Sequence, residues 1–155
     1  MAGQIIFYNS RLSVFSGAYL SAHGGHSYIS REGIIGILHE KADDSRIYSR
    51  IEILDHGGPG MASIGTSQTV ASSTGTISHD PGMLSFWMTL RQYMGRTSCL
   101  VLNMCNAGKF DEGRILLREI QRLSGGIVYG AITDMTSEVG MHYFNDPTKY
   151  RHYMH

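Results

Sequence analysis

Short apolar runs, each breaking into small residues and glycine, set the pattern of this chain. The two strongest are Arg50-Ile51-Glu52-Ile53-Leu54-Asp55-His56-Gly57-Gly58 and Ser98-Cys99-Leu100-Val101-Leu102-Asn103-Met104-Cys105-Asn106-Ala107-Gly108. Near-continuous aliphatic stretches of this length predict strands buried on both faces of a parallel sheet. Ile5-Ile6-Phe7-Tyr8 predicts a first strand, stopped by Asn9-Ser10-Arg11. Leu12 to Tyr28 has no sustained helical period and reads as irregular or hairpin-like. Residues 30–38 suit either a capped helix or a strand, and Glu40 to Asp44 a solvated turn or helix end. The strand of residues 46–54 delivers Asp55-His56-Gly57-Gly58-Pro59-Gly60, where glycine and proline end regular structure.

From Met61 to Gly82 the chain is rich in Ser, Thr and Gly and reads as a long mobile loop. Leu84, Trp87, Met88, Leu90 and Tyr93 fall at helical spacing, predicting a helix over Met83 to Met94 ended by Gly95. Asp111 to Leu123 is the clearest amphipathic helix, with Ile115, Leu116, Leu117, Ile120 and Leu123 opposed to Arg114, Arg118, Glu119 and Arg122 and closed by Ser124-Gly125-Gly126. Ile127 to Ile132 predicts another strand, and Met141 to His155 a terminal strand or flap. Alternating strands and helices imply an α/β fold, a mostly parallel sheet with helices on its faces.

Composition narrows this picture. At 155 residues the chain reads as a single domain able to bury a core without staples. Lys plus Arg number 13 and Asp plus Glu 13, so no charge field points to a nucleic-acid or membrane partner. Met1-Ala2-Gly3-Gln4 leads straight into an apolar strand, which argues against a secretory signal, and no segment is long enough to cross a bilayer. A cytoplasmic setting is expected. Cys99 and Cys105, roughly 20 Å apart on one extended strand, cannot bridge each other. Reduced thiols fit that setting. Cys99 reads as core and Cys105 as the strand tip. His23-Gly24-Gly25-His26 and the histidines of the tail match no recurrent ligand spacing, so neither metal nor other cofactor is expected.

The chemistry converges on the two strand ends, because the loops leaving adjacent parallel strands share one crevice. A thiol attacks carbonyls as the thiolate, and a free cysteine with pKa about 8.5 needs help near neutrality. The imidazole of His56 is suited to take the proton of Cys105. Glycine-rich turns leave amides free to hold a developing oxyanion, so Gly57 and the amide of Cys105 are the candidate donors. Asp55 is too close in sequence to be the natural orienter of His56. Asp134 lies at the end of the next strand, where it suits either a substrate pocket or a turn cap, and strand parity puts Asn103 on the same side as Cys105.

An apolar strand ending in His56-Gly57, then about 50 residues, then an apolar strand ending in Cys105 and small residues, resembles the caspase-like superfamily of cysteine peptidases, particularly its bacterial branches. The resemblance covers about residues 47–135. It implies a caspase-like sheet flanked by helices on both faces, His56 as general base, Cys105 as nucleophile, and the amides of Gly57 and Cys105 as oxyanion hole. It also implies a specificity pocket near these strands, lined by Asp134 and Asn103, in which an acidic residue would favour a basic side chain. Asn103-Met104 departs from the small residue the family often has before its cysteine, and the chain is shorter than most members.

The expected activity is hydrolysis of protein or peptide substrates through a thioester acyl-enzyme, with self-processing, action as a bacterial effector in another cell, and oligomeric state left open. Two alternatives stand beside it. An α/β-hydrolase would use Cys105 with Asp134 and His142, although Asn103 and Ala107 stand where that fold's nucleophile turn has its glycines. A caspase-like interaction module would keep the fold without the chemistry.

Overall fold

The computed structural model describes residues 2–12, 24–42, 46–134 and 146–154. In chain order the elements are β1 (Ala2–Asn9), β2 (His26–Tyr28), α1 (Arg31–Lys41), β3 (Tyr48–Leu54), β4 (Gly57–Gly58), β5 (Met61–Ile64), β6 (Ser67–Ala71), β7 (Ile77–His79), α2 (Met83–Leu90), β8 (Met94–Asn103), α3 (Phe110–Ser124), β9 (Ile127–Ala131) and β10 (Tyr150–Tyr153). One sheet has six strands in the order β10-β9-β8-β3-β1-β2. Its members run parallel except β10, which pairs antiparallel with β9 at the edge. A mixed α/β fold with a mostly parallel sheet is therefore present, as the aliphatic runs predict.

Strand period two sorts the sheet into two unlike faces. Ile5, Phe7, Ile51, Ile53, Leu100, Leu102 and Val128 share one core cluster with Ile34 and Leu38 of α1, Met83, Trp87 and Leu90 of α2, and Ile115, Leu116 and Ile120 of α3. All three described helices thus pack into the cluster formed by one face. The alternate residues Ile6, Glu52, Leu54, Val101 and Asn103 are buried too, Ile6 and Leu54 with Tyr8 and Leu12, and Val101 with Ala131 and Tyr150. Residues 13–23, which link β1 to β2, lie outside the described residues, as does His23. His26 to Tyr28 pairs parallel to β1, which corrects the hairpin reading for that piece, since a hairpin pairs antiparallel.

The largest correction concerns residues 61–82. The expected mobile loop is instead most of a second sheet, four antiparallel strands in the order β4-β5-β6-β7. Its apolar positions Ala62, Ile64 and Ala71 join the main core. Thr69 is fully buried; its Oγ1 accepts from Trp87 Nε1 at 2.9 Å and lies 2.9 Å from His79 Nδ1. His79 Nε2 in turn lies 3.3 Å from Glu119. Burial raises the cost of a polar side chain only when it lacks partners, so a Ser/Thr-rich stretch that satisfies its hydroxyls can be sheet.

Smaller differences follow the same logic. The helix ends at Leu90, a single 3-10 turn spans Arg91–Tyr93, and Met94 and Gly95 already belong to β8. Ser98 anchors that start, its Oγ accepting from Gly95 N at 2.8 Å and donating to Tyr48 O at 2.6 Å. The segment of residues 30–38 is helix, and the tail closes with β10. Residues 141–145, which include His142, lie outside the described residues.

Candidate active site at the ends of strands β3 and β8

The rim where β1, β3, β8 and β9 end is built by register. β3 and β8 pair with Leu54 opposite Asn103, and Asp55 N donates to Asn103 O at 3.4 Å. His56 and Cys105 each lie two residues beyond those paired ends, Cys105 in the turn that Ala107 N closes on Met104 O at 3.1 Å. The two segments that follow touch each other. A Cβ placed on Gly57 would lie 2.6 Å from Met104 Cβ and 3.2 Å from Cys105 O, so the backbone after His56 rests directly on the residues that follow β8. His56 is exposed and Cys105 half-buried. Cys99, deeper on β8, is half-buried against the cluster of Val101, Ala131 and Tyr150, and burial pushes its thiol pKa up.

Gly57 has no room for a side chain. A Cβ there would also meet Met61 O at 3.1 Å, whereas one on Gly58 would meet only Met61 Cε at 3.5 Å. Gly57→Ala is therefore expected to lower stability by about 1–3 kcal/mol through forced separation of the β3 and β8 ends, and Gly58→Ala to be tolerated. Chemical denaturation of the two variants checks this; equal midpoints would contradict the close packing. Ser63 N donates to His56 O at 3.2 Å, the phase of the antiparallel ladder in which Gly57 and Ala62 face each other without exchanging bonds. The Gly57 amide is thus outside the β4–β5 ladder.

Asp55 is the residue that sequence reasoning undervalues. Its carboxylate is 4% exposed and accepts from Asn9 Nδ2 at 3.1 and 3.2 Å, Tyr28 Oη at 2.5 Å, His56 N at 2.6 Å and Gly65 N at 2.8 Å. The bonds reach β1, β2, the candidate base and the β5–β6 turn. Asp55 therefore holds the backbone of His56 rather than its ring. Burial, then the Asp55 charge and hydrogen bond, drives the Tyr28 hydroxyl pKa far above its ordinary value, so Tyr28 remains a donor. A local signal exists: Asn9 and Asp55 are polar residues ending apolar strands.

The loop after Cys105 is held by close backbone contacts. Asn106 N donates to Thr133 O at 3.0 Å, Gly108 N to Ala131 O at 2.9 Å and Gly60 N to Ala107 O at 3.3 Å. A Cβ on Gly113 would lie 2.1 Å from Gly108 C, and one on Gly108 would lie 2.6 Å from Gly130 O. Glycines inside a helix and a strand mark such approaches, and Gly113 and Gly130 carry that signal. Positive φ falls on Asn106 at 57° and Phe110 at 63°, not on Cys105. The loop of residues 104–109 separates strand from helix, unlike the sharp nucleophile turn of α/β-hydrolases.

The two residues expected to line a pocket part company. Asp134 is exposed and accepts from Asn106 Nδ2 at 2.6 Å, next to Cys105 in the chain. Asn103 is 2% exposed; it donates to Glu52 at 3.1 Å and accepts from Tyr150 Oη. Glu52 pairs with Arg50 at 3.2 Å. Asn103 thus belongs to a buried polar network on the sheet face opposite α1–α3. Burial and the Glu52 charge push the Tyr150 hydroxyl pKa well above its usual range, with Arg50 opposing. A separate groove of about 540 Å³, lined by Arg31, Ile35, His39, Phe86 and Tyr93 among others, runs between α1 and α2 and includes none of the rim residues. Among the described residues no three His, Cys, Asp or Glu side chains form a metal-binding group, and no helix is long and apolar enough to cross a membrane.

Comparison with known proteins yields no relative: no family model matches the chain, and no curated protein or solved structure matches it significantly.

Proposed function

We propose that this chain is a cysteine peptidase of the caspase-like type, with Cys105 as nucleophile and His56 as general base. The observation that carries the reading is the adjacency of the ends of β3 and β8, with Gly57 packed against the backbone of Cys105. Cys105 Sγ attacks the carbonyl carbon of a peptide bond, and His56 takes the thiol proton and returns it to the leaving amine. Water then hydrolyses the thioester, releasing the acid and restoring the thiol. The amides of Gly57 and Cys105 serve the oxyanion, a role that the ladder phase at Gly57 supports. Asp134, exposed beside the nucleophile loop, suits a substrate with a basic side chain at the cleavage point. The substrate is a protein or peptide.

The test is covalent. A peptide epoxide or iodoacetamide is expected to label Cys105 in preference to Cys99, as read by peptide mass mapping, and a peptide library to be cleaved by unlabelled protein alone. Labelling that falls equally on both thiols, with no cleavage in the library, would remove the peptidase reading and leave a caspase-like interaction module. The hydrolase alternative requires His142 in place of His56.

A further inference from the structure

Asn106 is held in an arrangement that local stability does not favour. Its backbone is left-handed, with φ 57°, and tied on both sides: N donates to Thr133 O at 3.0 Å and O accepts from Lys109 N at 2.9 Å. Its Nδ2 donates to Asp134 Oδ1 at 2.6 Å. A carboxylate at that distance fixes which end of the amide faces it, since two acceptor oxygens would repel. The remaining atom, Asn106 Oδ1, is buried with no hydrogen-bond partner among the described residues. An orphaned buried acceptor carries its full desolvation cost, and such orphans call for an explanation.

Orientation of Asp134 supplies one. With Oδ1 held by Asn106, the carboxylate of an otherwise exposed side chain is restrained at one oxygen, and Oδ2 is the oxygen that would meet a ligand. A carboxylate fixed in advance loses less conformational freedom when it binds a guanidinium or ammonium group. We propose that Asn106 is a positioning residue for specificity, orienting Asp134 to receive the cationic side chain of the substrate at the cleavage point. This rests on the peptidase reading above.

The experiment compares wild type, Asn106→Gly, Asp134→Asn and the double variant. Glycine suits the positive φ at 106, so Asn106→Gly removes the amide without straining the backbone. Two matched fluorogenic peptides carry arginine or its neutral isostere citrulline at the cleavage position, and the readout is the ratio of their kcat/KM values. Asp134→Asn is expected to lower that ratio on the order of 30-fold and Asn106→Gly about 10-fold, the range of a hydrogen bond to a charged group. Asn106→Gly is expected to melt no lower than wild type and to have no further effect in the Asp134→Asn background, the mark of action through Asp134. An unchanged ratio in Asn106→Gly, an equal loss for both peptides, or an equal further loss in the double variant would overturn the proposal.

Argininamide binding to Cys105→Ala protein, followed by NMR, separates the two readings because it needs no turnover. Binding to Cys105→Ala protein weakened by adding either Asn106→Gly or Asp134→Asn, where wild type with Cys105 intact cleaves neither peptide, would retain the positioning role and sink the peptidase. Cleavage with an Asn106-independent ratio would do the reverse. Neither binding nor cleavage would sink both.

Discussion

Cys105→Ala and His56→Ala proteins are each expected to lose at least about 1,000-fold in peptide turnover while keeping the wild-type fold. Residues acting as a unit in covalent catalysis show losses of this order or larger when one is removed. Neither substitution touches the core. His56 is exposed and Cys105 half-buried, so stability is expected to change by no more than about 1 kcal/mol. Turnover against a cleaved library peptide and thermal melting of the same samples check both halves. A fully active His56→Ala protein would refute the assigned base. If His142→Ala abolished turnover and His56→Ala did not, the base role would pass to the hydrolase arrangement.

The second large effect is on the fold. Asp55→Ala is expected to cost about 4 kcal/mol, a loss reached only when a buried polar network is broken, against a total of roughly 5–15 kcal/mol for a domain. Four donors lose this acceptor at once: Asn9 Nδ2, the amides of His56 and Gly65, and Tyr28 Oη, which keeps only Leu54 O at 3.3 Å. Each orphaned buried donor costs about 1–3 kcal/mol, and relaxation keeps the sum below simple addition. Asp55→Asn keeps the shape but turns one acceptor oxygen into a donor facing donors, so about 2 kcal/mol is expected. Urea denaturation midpoints measure both. A loss below about 1 kcal/mol for Asp55→Ala would mean that water replaces the carboxylate and that the hub is not what holds the rim.

The departures from expectation share one cause. The span 61–82 resembles a loop because its composition is Ser, Thr and Gly, yet Thr69 sits fully buried between Trp87 and His79. Polarity argues for a loop only while partners are unknown. Asp55 is an unpromising orienter in sequence because a residue adjacent to His56 cannot easily turn back onto its ring. Its partners include a residue 46 positions away, and its carboxylate accepts from the histidine's backbone amide instead. Asn103 follows strand parity to the side expected, but what lies there is Glu52 and Tyr150.

By itself the sequence determined the parallel strands β1, β3, β8 and β9 and the amphipathic helix α3, because aliphatic runs of that length must be covered on both faces and a stripe of period 3.6 on one. It also marked His56 and Cys105 as strand ends. Only the tertiary structure decided that β3 and β8 are paired neighbours, that Asp55 rather than a loop side chain anchors the rim, and that Asn106 holds Asp134. Those are pairings between segments far apart in the chain, and they arise from which strand lies beside which, a choice that local propensity leaves open.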